Sequence, residues 1–155
     1  MASRQSDKTR AEELGFFKLC RIIFESPIWS DDPHTLKLWI YLLGTARHAK
    51  GPKMYPDFKV KRGELVTSLQ QIAENNEYMK FGVLKRWSKS RVSRMLKILE
   101  NQEYIQRPPD TFGTHVRICN YEFYQDINLP KTNGSGTGAE QVRNRCGNIQ
   151  ECKEC

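Results

Sequence analysis

Between Lys80 and Lys97 the chain places seven basic side chains, Lys80, Lys85, Arg86, Lys89, Arg91, Arg94 and Lys97, and no acidic one. Ammonium and guanidinium groups at that density meet phosphates, and a guanidinium also forks onto the edge of a guanine. Ser88, Ser90 and Ser93 are interleaved with them. Short hydroxyl donors of this kind let a backbone approach a polyanion closely. Arg91, Arg94 and Lys97 recur at i, i+3, i+6, so on a helix they drift slowly round one outer face. Val92, Met95, Leu96 and Leu99 take the inner face, the one that would fix the helix to a core.

Other reactive residue types form no comparable set. Gly134, Gly136 and Gly138 lack the strand-to-helix context and the lysine of a phosphate loop. His34, His48 and His115 are scattered, and no HExxH occurs. Asp31, Asp32 and Asp57 are the carboxylates open to a ligand role, and the first pair reads better as a helix cap. Cys146, Cys152 and Cys155 form C-x5-C-x2-C, but no histidine or fourth cysteine stands near to complete a zinc set. We therefore expect no catalytic residues, no metal and no cofactor. Cys20 and Cys119 sit among apolar neighbours and read as small core residues.

The elements that would position the basic run follow from local signals. Ser88 is an N-cap, so the basic helix starts there and ends at Asn101-Gln102-Glu103. Upstream, Ser68-Leu69-Gln70-Gln71 is a capping box that predicts a short helix over Leu69 to Asn75, with Leu69, Ile72 and Ala73 inside. Asp31-Asp32-Pro33 starts a longer helix whose buried face is Leu36, Trp39, Ile40, Leu43 and Ala46. Tyr55 to Ser68, in which Phe58 and Val60 alternate with lysines and Leu65-Val66-Thr67 follows a turn candidate at Lys61-Arg62-Gly63-Glu64, reads as one short strand or an irregular hairpin. The connection from Asn76 to Trp87 offers Tyr78, Met79, Phe81, Val83, Leu84 and Trp87 as buried candidates. Tyr104 to Arg107 and Thr114 to Cys119 read as two strands joined by Pro108 to Gly113. Alternation there puts Val116 and Ile118 on one face, and His115 and Arg117 on the other. Gly15 to Phe24 reads as an arm or short helix packed on the domain, and Asn120 to Gln125 as an aromatic cap.

Composition bounds the rest. The 155 residues carry 25 basic and 18 acidic side chains, a net charge of +7. Residues 1–14 carry three of each sign and residues 126–155 four of each, so the whole excess lies in 15–125. We expect residues 1–14 to be disordered, 15–125 to form one domain, and 126–155 to be a flexible linker and disordered tail. An odd number of cysteines and the absence of an apolar N-terminal signal point to a reducing compartment, the cytoplasm. No apolar run is long enough to cross a bilayer, and the apolar face of the basic helix is needed for the core, so no membrane partner is expected. Phe16, Trp29, Tyr55 and Tyr104 are expected in or against the core, which leaves no aromatic platform for RNA.

The order helix, short strand, short helix, basic helix, hairpin is that of a winged helix-turn-helix with a C-terminal β-hairpin wing, an α+β and mainly helical fold. Such a helix enters the major groove of DNA. The chain resembles the winged-helix domains of phage and prophage replication organisers, the DnaD-like primosome proteins, and related phage helix-turn-helix regulators. The likeness spans about Gly15 to Gln125. It is carried by Phe17 to Trp29, Leu38 to Leu43, Lys61 to Ser68, the basic helix Ser88 to Glu100, and Ile118 to Gln125. It implies a small non-enzymatic protein that binds double-stranded DNA in initiation of replication, with a helicase loader or other primosome proteins as partners. This chain departs from that pattern in the long Asn75 to Trp87 connection and in a C-terminus too short for a second domain.

Ser88, Lys89, Ser90, Arg91, Ser93, Arg94 and Lys97 are thus the expected DNA-contacting residues of the recognition helix. Lys85 and Arg86 flank them, and Arg107, His115 and Arg117 are the candidates on the wing. Transcriptional regulation through the same contacts is the first alternative, and a protein-docking winged helix without specific DNA binding the second. No dimerisation helix is evident.

Overall fold

A computed structural model describes Arg10 and residues 12–49, 51–109 and 113–126. Helix α2 (Pro33–Thr45) is the central element, preceded by a 3-10 turn (Arg21–Glu25) and a short α1 (Pro27–Ser30). Pro33 sits at its first position, where a missing N–H costs nothing. Its buried stripe is Thr35, Leu38, Trp39, Leu42 and Leu43. Leu36 and Ile40, expected inside, are only half-buried. The helix is apolar nearly all round, so two overlapping i, i+3, i+4 series exist in the sequence. The stripe centred on Leu38 and Leu42 is the one that faces the core.

Strands β1 (Lys53–Met54) and β2 (Lys59–Val60) pair antiparallel and lead into β3 (Glu64–Thr67). Gly63, at φ +77, makes the turn between them, and a Cβ there would lie 2.7 Å from Tyr121 Cβ. Helix α3 (Leu69–Asn75) follows at once, with Ser68 Oγ accepting the Gln71 N–H at 3.1 Å. Ile72 and Ala73 are buried.

The next segment departs from expectation. It is a hairpin of β4 (Tyr78–Lys80) and β5 (Val83–Lys85), in register Met79 with Leu84 and Lys80 with Val83. Met79, Phe81, Val83 and Leu84 are exposed, and only Trp87 of the expected set is fully buried, with Tyr78 partly so. Among the described residues this two-stranded ribbon, three residues long, has no second layer above it, and most of its side chains are exposed. Phe81 at φ +52 and Gly82 at φ +76 form its two-residue turn.

Helix α4 (Lys89–Asn101) is capped by Ser88, whose Oγ accepts the Arg91 N–H at 3.2 Å. Val92, Met95, Leu96 and Leu99 are buried as the periodicity requires. Strands β6 (Ile105–Gln106) and β7 (Thr114–Ile118) come next. They do not form an isolated hairpin. β3 pairs with β7 as well, giving one antiparallel sheet in the order β3-β7-β6. Its register sets Leu65 opposite Val116 and Ile105 opposite Ile118 on the inner face. Helix α5 (Tyr121–Asp126) closes the domain, with Tyr121 buried.

The result is a small α+β fold in which α2, α3 and α4 share a core with the inner face of the sheet. Cys119 is buried and Cys20 half-buried. Phe17 lies over Gly44 of α2, where a Cβ would be 2.9 Å from the ring. Lys18 and Gln125 exchange two hydrogen bonds: the Lys18 N–H donates to Oε1 at 2.9 Å, and Nε2 donates to Lys18 O at 3.1 Å. Phe16, expected against the core, is 87% exposed, and half of Trp29 is in water beside Phe24. Tyr55 is exposed and stacks on Phe58 at 4.6 Å, whereas Tyr104 packs on Trp39. Of the N-terminal stretch expected to be disordered, Arg10 and residues 12–14 are described and are helical. The expectations for residues 1–9 and 127–155, including the three tail cysteines, lie outside the described residues. Among the described residues no helix is long and apolar enough to cross a membrane.

Candidate nucleic-acid interface

With Val92, Met95, Leu96 and Leu99 inside, the opposite meridian of α4 is set by the helical repeat. It carries Ser90, Arg94, Lys97 and Asn101, at i, i+4, i+7 and i+11, all exposed. Lys89 is exposed on one flank, with Ser93 half-buried beside it, and Arg91 is half-buried on the other. Asn101 belongs to this stripe although the sequence marks it as a helix end. Its amide has the donor–acceptor pair that reads an adenine edge. The Ser88 and Ser90 hydroxyls lie 3.2 Å apart, so the cap and the first side chain of the stripe are coupled.

The cations divide by what stands next to them. Among the described residues no ion pair engages Lys85, Lys89, Arg94 or Lys97, and all four are exposed. Arg91 is different, because its Nη2 lies 3.7 Å from Asp32 Oδ2. Asp32 begins α2 but makes no side-chain cap there, which leaves its carboxylate for Arg91. Arg86 donates to Glu77 Oε1 from Nε at 3.1 Å and from Nη2 at 2.6 Å, and Glu74 is 4.0 Å away.

The three wing candidates all meet carboxylates. Arg107 donates to Glu100 Oε2 from Nε at 3.1 Å and from Nη2 at 2.7 Å. Arg117 Nε donates to Glu64 Oε1 at 2.8 Å, and His115 Nε2 is 3.4 Å from Glu64 Oε2. The register explains the cluster: Glu64 faces Arg117 and Val66 faces His115 across β3 and β7, all on the outer side of the sheet. Glu64 is itself buried and also accepts the Lys61 N–H at 2.9 Å. Burial pushes its carboxyl up, but the Lys61 N–H and Arg117 outweigh that and hold it below the ordinary range. His115 and Arg117 are therefore brought to Glu64 on one sheet, while Arg107, just past β6, is tied to Glu100 of α4.

The base of the β4–β5 hairpin is tied to α2 next to α4. Trp87 Nε1 donates to His34 Nδ1 at 3.1 Å, and the His34 ring sits 4.6 Å from Tyr78. Lys37 Nζ donates to Glu77 O at 2.7 Å. Burial, then the charge of Arg91, keeps the His34 pKa below its usual value, so the ring is neutral and able to accept from Trp87.

Sequence reasoning missed the Asp32–Arg91 pair, the Glu64 cluster and the hairpin. The dipeptide Phe81-Gly82 between short apolar runs was the available signal for the last. Among the described residues no group of histidine, cysteine and carboxylate side chains is placed to hold a metal ion. No protein-family model, curated protein or solved structure matches this chain.

Proposed function

We propose that this protein binds double-stranded DNA through α4, as a winged helix-turn-helix. The carrying observation is the outward stripe Ser90, Arg94, Lys97 and Asn101 on a helix rooted by four buried side chains. A groove-entering helix needs both faces, and the acid-free run from Lys80 to Lys97 keeps repulsion of phosphates out of it. The element order α2, β3, α3, α4 and the β3-β7-β6 sheet support the winged-helix reading. In this reading α3 and α4 are the helix pair, β6–β7 is the wing, and β4–β5 is inserted between the two helices.

Lys85, Lys89 and Lys97 hold phosphates, and Arg94 with Ser90 approaches base edges. Arg91 contributes to the extent that DNA displaces Asp32. Initiation of phage or prophage replication in the cytoplasm is the role proposed for such binding, on the strength of the likeness to replication organisers. A helicase loader or another primosome protein would then be the protein partner.

The test is selection from pooled random duplexes at rising salt, with sequencing of the bound fraction. Enrichment of one motif at about 0.15 M salt is expected. Loss of all binding at that salt, with no motif, would overturn the reading and leave a protein-docking role for the basic face. A recovered motif clustered at an origin supports replication, and one overlapping promoters supports gene control.

A further inference from the structure

The β4–β5 hairpin has a surface that the fold does not use. Phe81 is 96% exposed, and Met79, Val83 and Leu84 are more than half exposed. The tip is also strained. A two-residue hairpin turn with positive φ at both centres favours asparagine or glycine at the first, because a side chain there crowds its own backbone. This chain puts phenylalanine there, at φ +52. An aromatic ring displayed in water at a conformational cost gives nothing back to folding, and such outliers cluster where function needs them.

Three further observations say what the ring meets. Lys80 and Lys85 flank Phe81, Val83 and Leu84 with no acid between them, so the surface suits an anionic partner with apolar faces. Lys80 Nζ stands 5.9 Å from the Phe81 ring centroid, which keeps a cation at the very tip. Three residues, Arg86 to Ser88, separate the hairpin from α4, and its base is held to α2 through Trp87, Tyr78, His34 and Lys37. The hairpin base is therefore held close in sequence to the N-terminal end of α4, the end whose first turns approach the bases in the proposed reading, and its tip is exposed. Three residues and a turn extend about 10–13 Å, enough to cross one sugar-phosphate strand from the major groove.

We propose that this hairpin is a minor-groove wedge: Phe81 enters between two base pairs beside the site read by α4, while Lys80 and Lys85 hold the flanking phosphates. The inference rests on the reading of α4 as a DNA-contacting helix. Apolar wedges of this size unstack a step and kink the duplex by about 20–90°. The exposed Met79–Leu84 pair widens the apolar surface behind the tip. A stiff ring needs little ordering on insertion, since only two side-chain torsions are fixed.

The experiment uses the full chain, the duplex recovered by selection, and donor and acceptor dyes on the duplex ends. Phe81→Asn removes the ring and suits the turn, so its melting midpoint should equal or exceed that of the parent. It should keep the same preferred motif, bind roughly ten-fold more weakly, and lose the rise in energy transfer that reports the kink. Phe81→Met, which retains an apolar wedge, should restore most of the kink. Equal affinity and equal energy transfer for the parent and Phe81→Asn would overturn the wedge. If Arg94→Ala weakens binding while Phe81→Asn does not, the wedge alone fails. If neither changes it, or the parent recovers no motif, the α4 reading fails and the wedge with it. Unaltered DNA binding by Phe81→Asn with reduced self-association in sedimentation would assign the hairpin to a second copy of this chain, and overturns the proposal.

Discussion

The partition of the cations into paired and unpaired sets has a measurable consequence in salt. Each phosphate neutralised contributes about −0.9 to the slope of log affinity on log salt. Lys85, Lys89, Arg94 and Lys97 are exposed and, among the described residues, without an ion pair. In the proposed complex Lys85, Lys89 and Lys97 hold phosphates and give a slope of about −2.7, and Lys80 on the hairpin brings it to about −3.6. If Arg86, Arg91, Arg107 and Arg117 also neutralised phosphates, the slope would double to about −7.2. Those four already face Glu77, Asp32, Glu100 and Glu64. The assay is fluorescence anisotropy of a labelled duplex across a salt series, for the parent, Lys97→Ala and Arg117→Ala. Lys97→Ala should flatten the slope by about 0.9 and leave the melting midpoint unchanged. Arg117→Ala should leave the slope alone and cost about 2 kcal/mol of stability, because buried Glu64 loses a charged partner while keeping the Lys61 N–H. A parent slope of −7 or steeper, or equal flattening by both variants, would refute this partition.

Three further outcomes follow from named contacts. Asp32→Asn releases Arg91, so duplex affinity should rise and the salt slope steepen by up to about 0.9, at a stability cost under about 1 kcal/mol because the pair is exposed. Glu64 carries a lowered pKa, so its stabilisation is complete above the unfolded value of 4.5 and is lost as pH falls through the folded value. Glu64→Gln should therefore flatten the acid limb of a melting-midpoint titration, and an unchanged limb would sink the assignment. His34 also has a lowered pKa, so its contribution is complete above 6.5 and declines as pH drops below that. Protonation ends its acceptance from Trp87, which should show as a shift in tryptophan emission that His34→Gln makes independent of pH.

Signals that act within one turn of chain were legible. Ser68 and Ser88 cap the helices they begin, and the alternation of β7 put Val116 and Ile118 inside. The buried face of α4 was legible because its outer face is polar, which leaves one possible stripe. The face of α2 was not, because apolar residues encircle it and only the neighbours decide which stripe is covered. The hairpin was misread by the same rule that succeeds elsewhere. Apolar side chains are usually inside, and Met79, Phe81, Val83 and Leu84 are not. The candidate site was legible as a run of charge, but not as a set of free charges. Asp32, Glu64, Glu77 and Glu100 reach their arginines through tertiary packing and strand register. The union of β3 with β7 is likewise a long-range pairing with no local signature.

The exchange of two hydrogen bonds between Lys18 and Gln125 joins segments 107 positions apart, so the domain's two ends leave from one place. A pull applied between those ends loads this clasp together with the contacts that seat the arm and α5: Phe17 on Gly44, Tyr121 over Gly63, Tyr124 against Trp39, and Arg62 donating to the Asp126 carboxylate. Cargo attached at either end would thus pull on these two terminal segments, and on the basic helix only through them.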